Sequence, residues 1–201
     1  MAGLVRCALP MSASSPPTIR LLSIHEADLE LVAALVNRAF GRYSTMFKGQ
    51  RTSAEDYRDE AGEDARVIVV EEDGQLVATA MIALAERFTE SDQHGPSGTV
   101  RPSQAPVVMP EHPWQGAMYF GLAGVEPERM NNGFGRMMVN RVETLAKTEG
   151  YPAVALGTVR EFGLVDYYEK LSYRVTHEQE FPAGHWDFAV PHHHCEMIKR
   201  L

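Results

Sequence analysis

The 201-residue chain has no stretch approaching the ~18 consecutive apolar residues that a membrane-spanning helix requires. Its longest largely apolar runs, such as Leu76 to Ala85, have the length of strands, so no membrane partner is expected. Cysteine is nearly absent. Cys7 and Cys195 stand far apart in sequence, which excludes a disulfide framework and a cysteine-based zinc site and points to a reducing cytoplasm. No lysine and arginine cluster marks a basic face, and the net charge is -8. Nucleic acid is therefore excluded as a partner, whereas a cationic partner suits the acidity. What is present, 44% apolar and 23% charged residues, is the composition of a globular domain.

Residues 1–17 carry one arginine and a short apolar piece broken by Pro10. They read as a disordered tail rather than a secretory leader. The remainder, 18–201, reads as one domain. Thr18–Ile24 alternates like a strand. Glu26–Phe40 has Leu29, Val32, Ala33 and Val36 at helical spacing, and Ser53 is placed to cap a helix running to Glu60. Val67–Glu71 and Leu76–Leu84 are strands joined at Asp73-Gly74, a hairpin signal. Residues 86–116 hold five prolines and read as a long irregular insertion. Ala117–Val125 is a strand, and Gly133–Glu149 is a helix stopped by Gly150 with Pro152 beyond. Strand Ala153–Val159, helix Leu164–Leu171 and a final antiparallel pair, Tyr173–Phe181 with His193–Leu201, complete the chain. That order predicts a mixed α/β (α+β) fold with one mixed sheet flanked by helices.

The segment from Val125 to Arg136 joins a strand to a helix. Gly133 and Gly135 remove side chains where a ligand would approach the backbone. The first helical turn presents unpaired N–H groups with partial positive charge. Together they suit a pyrophosphate, and Arg136, with Arg129, can add charge-assisted contacts. A dinucleotide fingerprint requires a third glycine and an acidic residue ~20 residues on, in a unit near the start of the fold. Position 138 is methionine and the unit comes late, so that reading is rejected.

Val125, Pro127, Gly133 and Gly135 resemble motif A of the GCN5-related N-acetyltransferase (GNAT) superfamily in type and spacing. The glutamine or arginine usual three residues before the first glycine is Met130, and the glycine and basic residue usual after it are Asn131 and Asn132. The string Leu164 to Tyr173, with Tyr167-Tyr168-Glu169-Lys170, resembles motif B; Ser172 replaces the usual glycine. The resemblance implies a GNAT-like acyl-CoA N-acyltransferase fold and acetyl-CoA as cosubstrate without a metal. Ala123, Gly124 and Val125 would meet the pantetheine arm through backbone groups. Asn131, Asn132, Gly133, Phe134, Gly135 and Arg136 would bind the pyrophosphate. Tyr168 would protonate or hydrogen-bond the departing thiolate. Of the two tyrosines, Tyr167 reads as the one that belongs to the core. Homodimers are common in that superfamily.

The implied reaction is acetyl transfer to a primary amine of a small molecule or peptide, by direct attack on the thioester. The strand 118–125 carries no acid, so the glutamate many relatives use as general base is missing there. Glu71, Glu72 and Glu161 are candidates. Glu161 also stands where relatives often have a cofactor-contacting asparagine. His192, His193 and His194 invite a metal site, but consecutive strand positions alternate faces, so at most two converge, and no metal-ligand spacing accompanies them; they read as solvent-exposed loop residues. His185 and Trp186 are placed to line an acceptor pocket, and family topology implies that 41–51, 86–116 and 181–193 shape it. A non-catalytic acyl-CoA-binding or sensor module is the alternative.

Overall fold

The computed structural model describes residues 16–90 and 112–201. The expected tail, up to residue 15, and most of the expected insertion, 91–111, lie outside the described residues. The rest of that insertion is short structure: a helical turn after the third strand and a tight turn before the fourth.

The elements, in order, are β1 (Thr18–Ser23), α1 (Leu29–Phe40), α2 (Ala54–Ala61), β2 (Arg66–Glu72), β3 (Gln75–Leu84), α3 (Glu86–Glu90), β4 (Met118–Val125), α4 (Phe134–Glu149), β5 (Ala153–Val159), α5 (Val165–Lys170), β6 (Arg174–Phe181) and β7 (His192–Arg200). The seven strands form one sheet in the order β1-β2-β3-β4-β5-β7-β6. Only β4 and β5 are parallel.

Local chemistry sets the boundaries. Helix α1 starts at Leu29 rather than Glu26 because Asp28 caps it, accepting from Leu31 N at 3.1 Å. Glu26 instead accepts from the Ser23 amide and hydroxyl, both at 2.9 Å. Helix α2 begins with a capping box, Ser53 and Asp56 bonding each other's backbone amides. The β2–β3 turn has Asp73 and Gly74 both at positive φ, 51° and 76°, as the tightest hairpin turn demands. Helix α4 ends at Gly150, φ 83°, where the Tyr151 amide reaches back to Ala146 O at 2.9 Å.

The sheet buries side chains on both faces. Ile68, Ile82, Met118, Phe120, Leu156 and Met197 pack under α4 and α5. Val67, Val69, Met81 and Leu122 pack under α1 and α2. Trp114, Ala155 and Ile198 form a smaller cluster on this second face, towards β5 and β7. Burial of these apolar surfaces supplies the main stabilising free energy.

Candidate active site

Strands β4 and β5 are hydrogen-bonded neighbours at one end only. Met118 pairs with Val154 and Tyr119 with Ala155, and no pair follows. Beyond that point the strands part, leaving the β5-facing edge of Phe120–Val125 without a ladder partner on β5. A bulge accompanies the split. Thr79 and Met81 of β3 face Gly124 and Gly121, so three β4 steps oppose two β3 steps. Leu122 absorbs the extra residue at φ 44°, a conformation costly for leucine and characteristic of functional strand sites. The buried Tyr57 hydroxyl donates to Leu122 O at 3.4 Å. Gly124 lies directly beneath α1, where a Cβ would stand 3.2 Å from the Val36 Cα.

The strand runs into the turn that the sequence leads one to expect as a pyrophosphate site. Asn131 and Gly133 take positive φ, 65° and 87°, and Gly133 caps α4 with no side-chain hydrogen bond. Among the described residues, the backbone amides of 131–136 make no hydrogen bond; the first helical bond is Met137 N to Gly133 O at 2.9 Å. Asn131, Asn132, Gly133 and Arg136 are exposed. The Phe134 side chain is buried in the core, so only its amide faces this turn. Arg129 is ion-paired with Glu72, which leaves Arg136 as the guanidinium at the helix start without an ion pair among the described residues.

Helix α5 packs across from that turn. A Cβ on Gly135 would stand 3.3 Å from the Tyr167 Oη. Tyr167, expected as the core aromatic, is half-buried, and Tyr168 is the buried one of the pair at 8% exposed. The reason is helical spacing, since Val165 and Tyr168 form the buried stripe of this short helix. Burial, and the nearby phenols of Tyr167, Tyr119 and Tyr43, push the Tyr168 hydroxyl well above the usual range. It therefore stays protonated at neutral pH, and among the described residues it has no hydrogen-bond partner.

The opposite face of the split is built from two loops that the chain zips together. Phe47 and Phe188 form an antiparallel bridge. Lys48 N donates to Asp187 O and Ala189 N to Met46 O, both at 2.7 Å. Phe40, Tyr43, Phe47, Phe162 and Phe188 interlock as one aromatic cluster. Thus 41–51 and 181–193 are one wall. Trp186 and Asp187 both hold positive φ, 49° and 60°. Trp186 packs edge-on to His194 at 5.1 Å.

The three candidate bases are occupied elsewhere. Glu71 is paired with Arg20 at 2.8 Å, and Glu72 with Arg129. Glu161 accepts from the His193 amide at 3.1 Å and lies 2.8 Å from its Nδ1. Desolvation opposes ionisation of Glu161, yet the bonds from His193 hold its carboxyl below the usual range.

The consecutive histidines are not loop residues; they open β7. His192 is fully buried and stacked on Phe188 at 3.8 Å. His193 points to the other face, and His194 returns to the first. Glu196, 4% exposed, follows on that same face, with His112 Nε2 at 3.2 Å from its Oε2. Sequence reasoning read His194 as exposed and did not single out Glu196. The available signal was the alternation of β7 itself, which assigns 192, 194 and 196 to one side. Among the described residues, no group of three histidine, cysteine, aspartate or glutamate side chains could hold a metal ion. A surface pocket of about 310 Å³, bounded by Ile24, Arg58 and Glu63, shares no residue with the split.

The model of the acetyltransferase (GNAT) family matches residues 35–173. A search of curated proteins finds no match. Among solved structures, the chain is similar to the ribosomal-protein-S18-alanine N-acetyltransferase from Escherichia coli, at 13% identity and TM-score 0.57, covering 91% of this chain and 94% of that one. It is similar to yncA from Salmonella typhimurium, solved with its cofactor acetyl-CoA, at 16% identity and TM-score 0.59, over 92% and 94% of the two chains. An acyl-CoA N-acyltransferase from Pseudomonas aeruginosa aligns at 14% identity and TM-score 0.58, over 90% and 99%. At these identities the likeness is one of fold.

Proposed function

This chain belongs to the acetyltransferase (GNAT) family, and from that premise we propose that it moves an acetyl group from acetyl-CoA to a primary amine of a small molecule or peptide. The observation that carries the reading is the alignment of two features along one groove. The split between β4 and β5 leaves strand edges unpaired, and it leads into the bare amides of 131–136 at the start of α4. A thioester arm needs the first and a pyrophosphate needs the second.

The pyrophosphate would sit on the amides from Asn131 to Arg136, with the Arg136 guanidinium adding charge. The Ala123–Val125 backbone would hold the pantetheine arm. The acceptor amine would enter from the face of the aromatic wall and attack the thioester carbon. Backbone N–H groups on the free edge of β4 would stabilise the oxyanion, and Tyr168 would give its proton to the leaving sulfur. A tyrosine held protonated by burial suits that donor role.

The rival reading, a non-catalytic acyl-CoA sensor, draws on Arg129 being paired with Glu72 and on the missing acid of β4. Two measurements separate them. Calorimetric titration of the full chain with acetyl-CoA is expected to show saturable one-site binding. Thiol release in the presence of a panel of spermidine, tyramine and an alanine-starting peptide is expected for the enzyme alone. No heat of binding sinks both readings; binding without thiol release for any amine leaves the sensor.

A further inference from the structure

Two glycines flank the split on the acceptor face, and each lies under a ring. A Cβ on Gly121 of β4 would stand 2.9 Å from the Tyr119 Oη. A Cβ on Gly157 of β5 would stand 2.6 Å from the His194 Nε2, with Cε1 at 3.4 Å and Cδ2 at 3.8 Å. The imidazole therefore reaches from β7 across β5 with its Nε2 edge leading, into space a side chain at 157 would fill. Gly157 lies beyond the last β4–β5 pair, so this nitrogen stands beside the opened part of the sheet. The ring is braced by Trp186, edge-on at 5.1 Å. Among the described residues neither of its nitrogens has a hydrogen-bond partner.

We infer that His194 Nε2 is the base that takes the proton from the acceptor nitrogen as it attacks the thioester. The inference rests on the acetyl transfer proposed above and fills the role that no acid on β4 can fill. The free amine's lone pair forms the N–C bond to the thioester carbonyl. The nitrogen gains positive charge and becomes acidic, and Nε2 takes one of its protons, which requires the imidazole to be neutral with its own proton on Nδ1. The tetrahedral intermediate collapses, the C–S bond breaks, and the sulfur takes the Tyr168 hydroxyl proton. Exchange with solvent then returns the imidazolium to neutrality and reprotonates Tyr168. The net change is amine plus acetyl-CoA to amide plus CoA thiol.

Basic groups around the ring favour its neutral form: His192 on its own strand face, His177 on β6, His185 in the β6–β7 turn and Arg51 in the segment after α1. Glu196, on the same strand face, acts in the opposite direction. Burial, then the neighbouring histidines and Arg51, lower the His194 pKa to about 4, so the acceptor lone pair is present throughout the neutral range.

The test uses the full chain with acetyl-CoA and the best acceptor of the three-probe panel. His194→Gln keeps polarity and shape without a base. Its kcat is expected to fall about a hundredfold, the lower end for loss of a positioned base. The KM for the amine and the calorimetric affinity for acetyl-CoA are expected to stay within about threefold of the parent. Gly157→Ala keeps the imidazole but displaces it, and the same fall in kcat is expected; this variant carries the test if His194→Gln fails to fold. A kcat unchanged within about threefold, or a loss expressed in amine KM alone, would overturn the assignment. Failure of the transfer reading is distinguishable, because the parent protein would then release no thiol with any probe.

Discussion

The Tyr119 ring occupies the volume that a side chain at Gly121 would need, with its Cζ 2.8 Å from where a Cβ would stand. That ring is held from the other side by Phe88, stacked at 3.9 Å and 19°, and by Trp114 at 5.7 Å. Tyr119 also belongs to the last β4–β5 pair before the split. The two residues together mark the point where β4 and β5 part.

Gly121→Ala should therefore force the ring out of its stack. Overpacking of this kind costs about 1–3 kcal/mol. The Gly121→Ala/Tyr119→Ala double variant should be less destabilised than the sum of its single variants by about 1 kcal/mol, since contacting residues couple. Urea unfolding of the four proteins measures that coupling directly; strict additivity would mean the ring moves without cost.

Tyr168→Phe removes a hydroxyl that bonds nothing in the described structure, so the fold should tolerate it with little change in melting temperature. The expected loss lies in kcat, about 10²–10⁴-fold if the hydroxyl supplies the proton to sulfur. Affinity for acetyl-CoA should be retained. Steady-state kinetics beside calorimetry make the comparison, and an unchanged kcat would show that the thiolate leaves unaided.

Ser172 occupies a left-handed position, φ 70°, just after α5. The Ser172 amide bonds Glu169 O at 2.8 Å, and the Tyr173 amide bonds Tyr168 O at 3.1 Å. This is the closing pattern in which glycine is favoured. Because a left-handed conformation costs an ordinary residue about 1–2 kcal/mol, Ser172→Gly should stabilise the protein by about 1 kcal/mol. In a chain of this size that is a rise of roughly 2–4 °C in melting temperature. The turn also holds Tyr168 through its carbonyl, so activity should not fall; a lower melting temperature would mean that the serine side chain contributes a contact outweighing the strain.

The places where sequence was informative share a cause. Helix α4, the Asp73-Gly74 hairpin and the bare turn at Gly133 are written in local chemistry: glycine where φ is positive, apolar residues at helical period, a capping serine at α2. The details around the split were not legible, because they depend on distant partners. Leu122 carries no sign of a bulge; only its register against β3 creates one. Glu161 looks like any solvated acid until β7 brings His193 beside it. The histidine run looks exposed when no metal-ligand spacing accompanies it. What buries His192 and half-buries His194 is the turn that folds Phe181, Trp186 and Phe188 over them.

The same burial makes a prediction about stability and pH. His194 titrates near 4 in the folded chain against about 6.5 when unfolded. Between those values the unfolded state binds the extra proton and the folded state does not. Unfolding free energy must therefore rise with pH across this window and fall as the solution is acidified through it. His192, also lowered, chiefly by burial, acts in the same direction. Exposed His193 acts in the opposite one: its bond to Glu161 raises its pKa, so its contribution is complete below the unfolded value and is lost as pH climbs through the folded value. Urea midpoints measured from pH 4 to 8 for the parent and for His194→Gln separate these effects. The difference between the two curves should be flat above pH 7 and slope steadily from 6.5 towards 4, the variant losing less stability on acidification. Parallel curves would show that the folded protein protonates His194 as readily as the unfolded chain does.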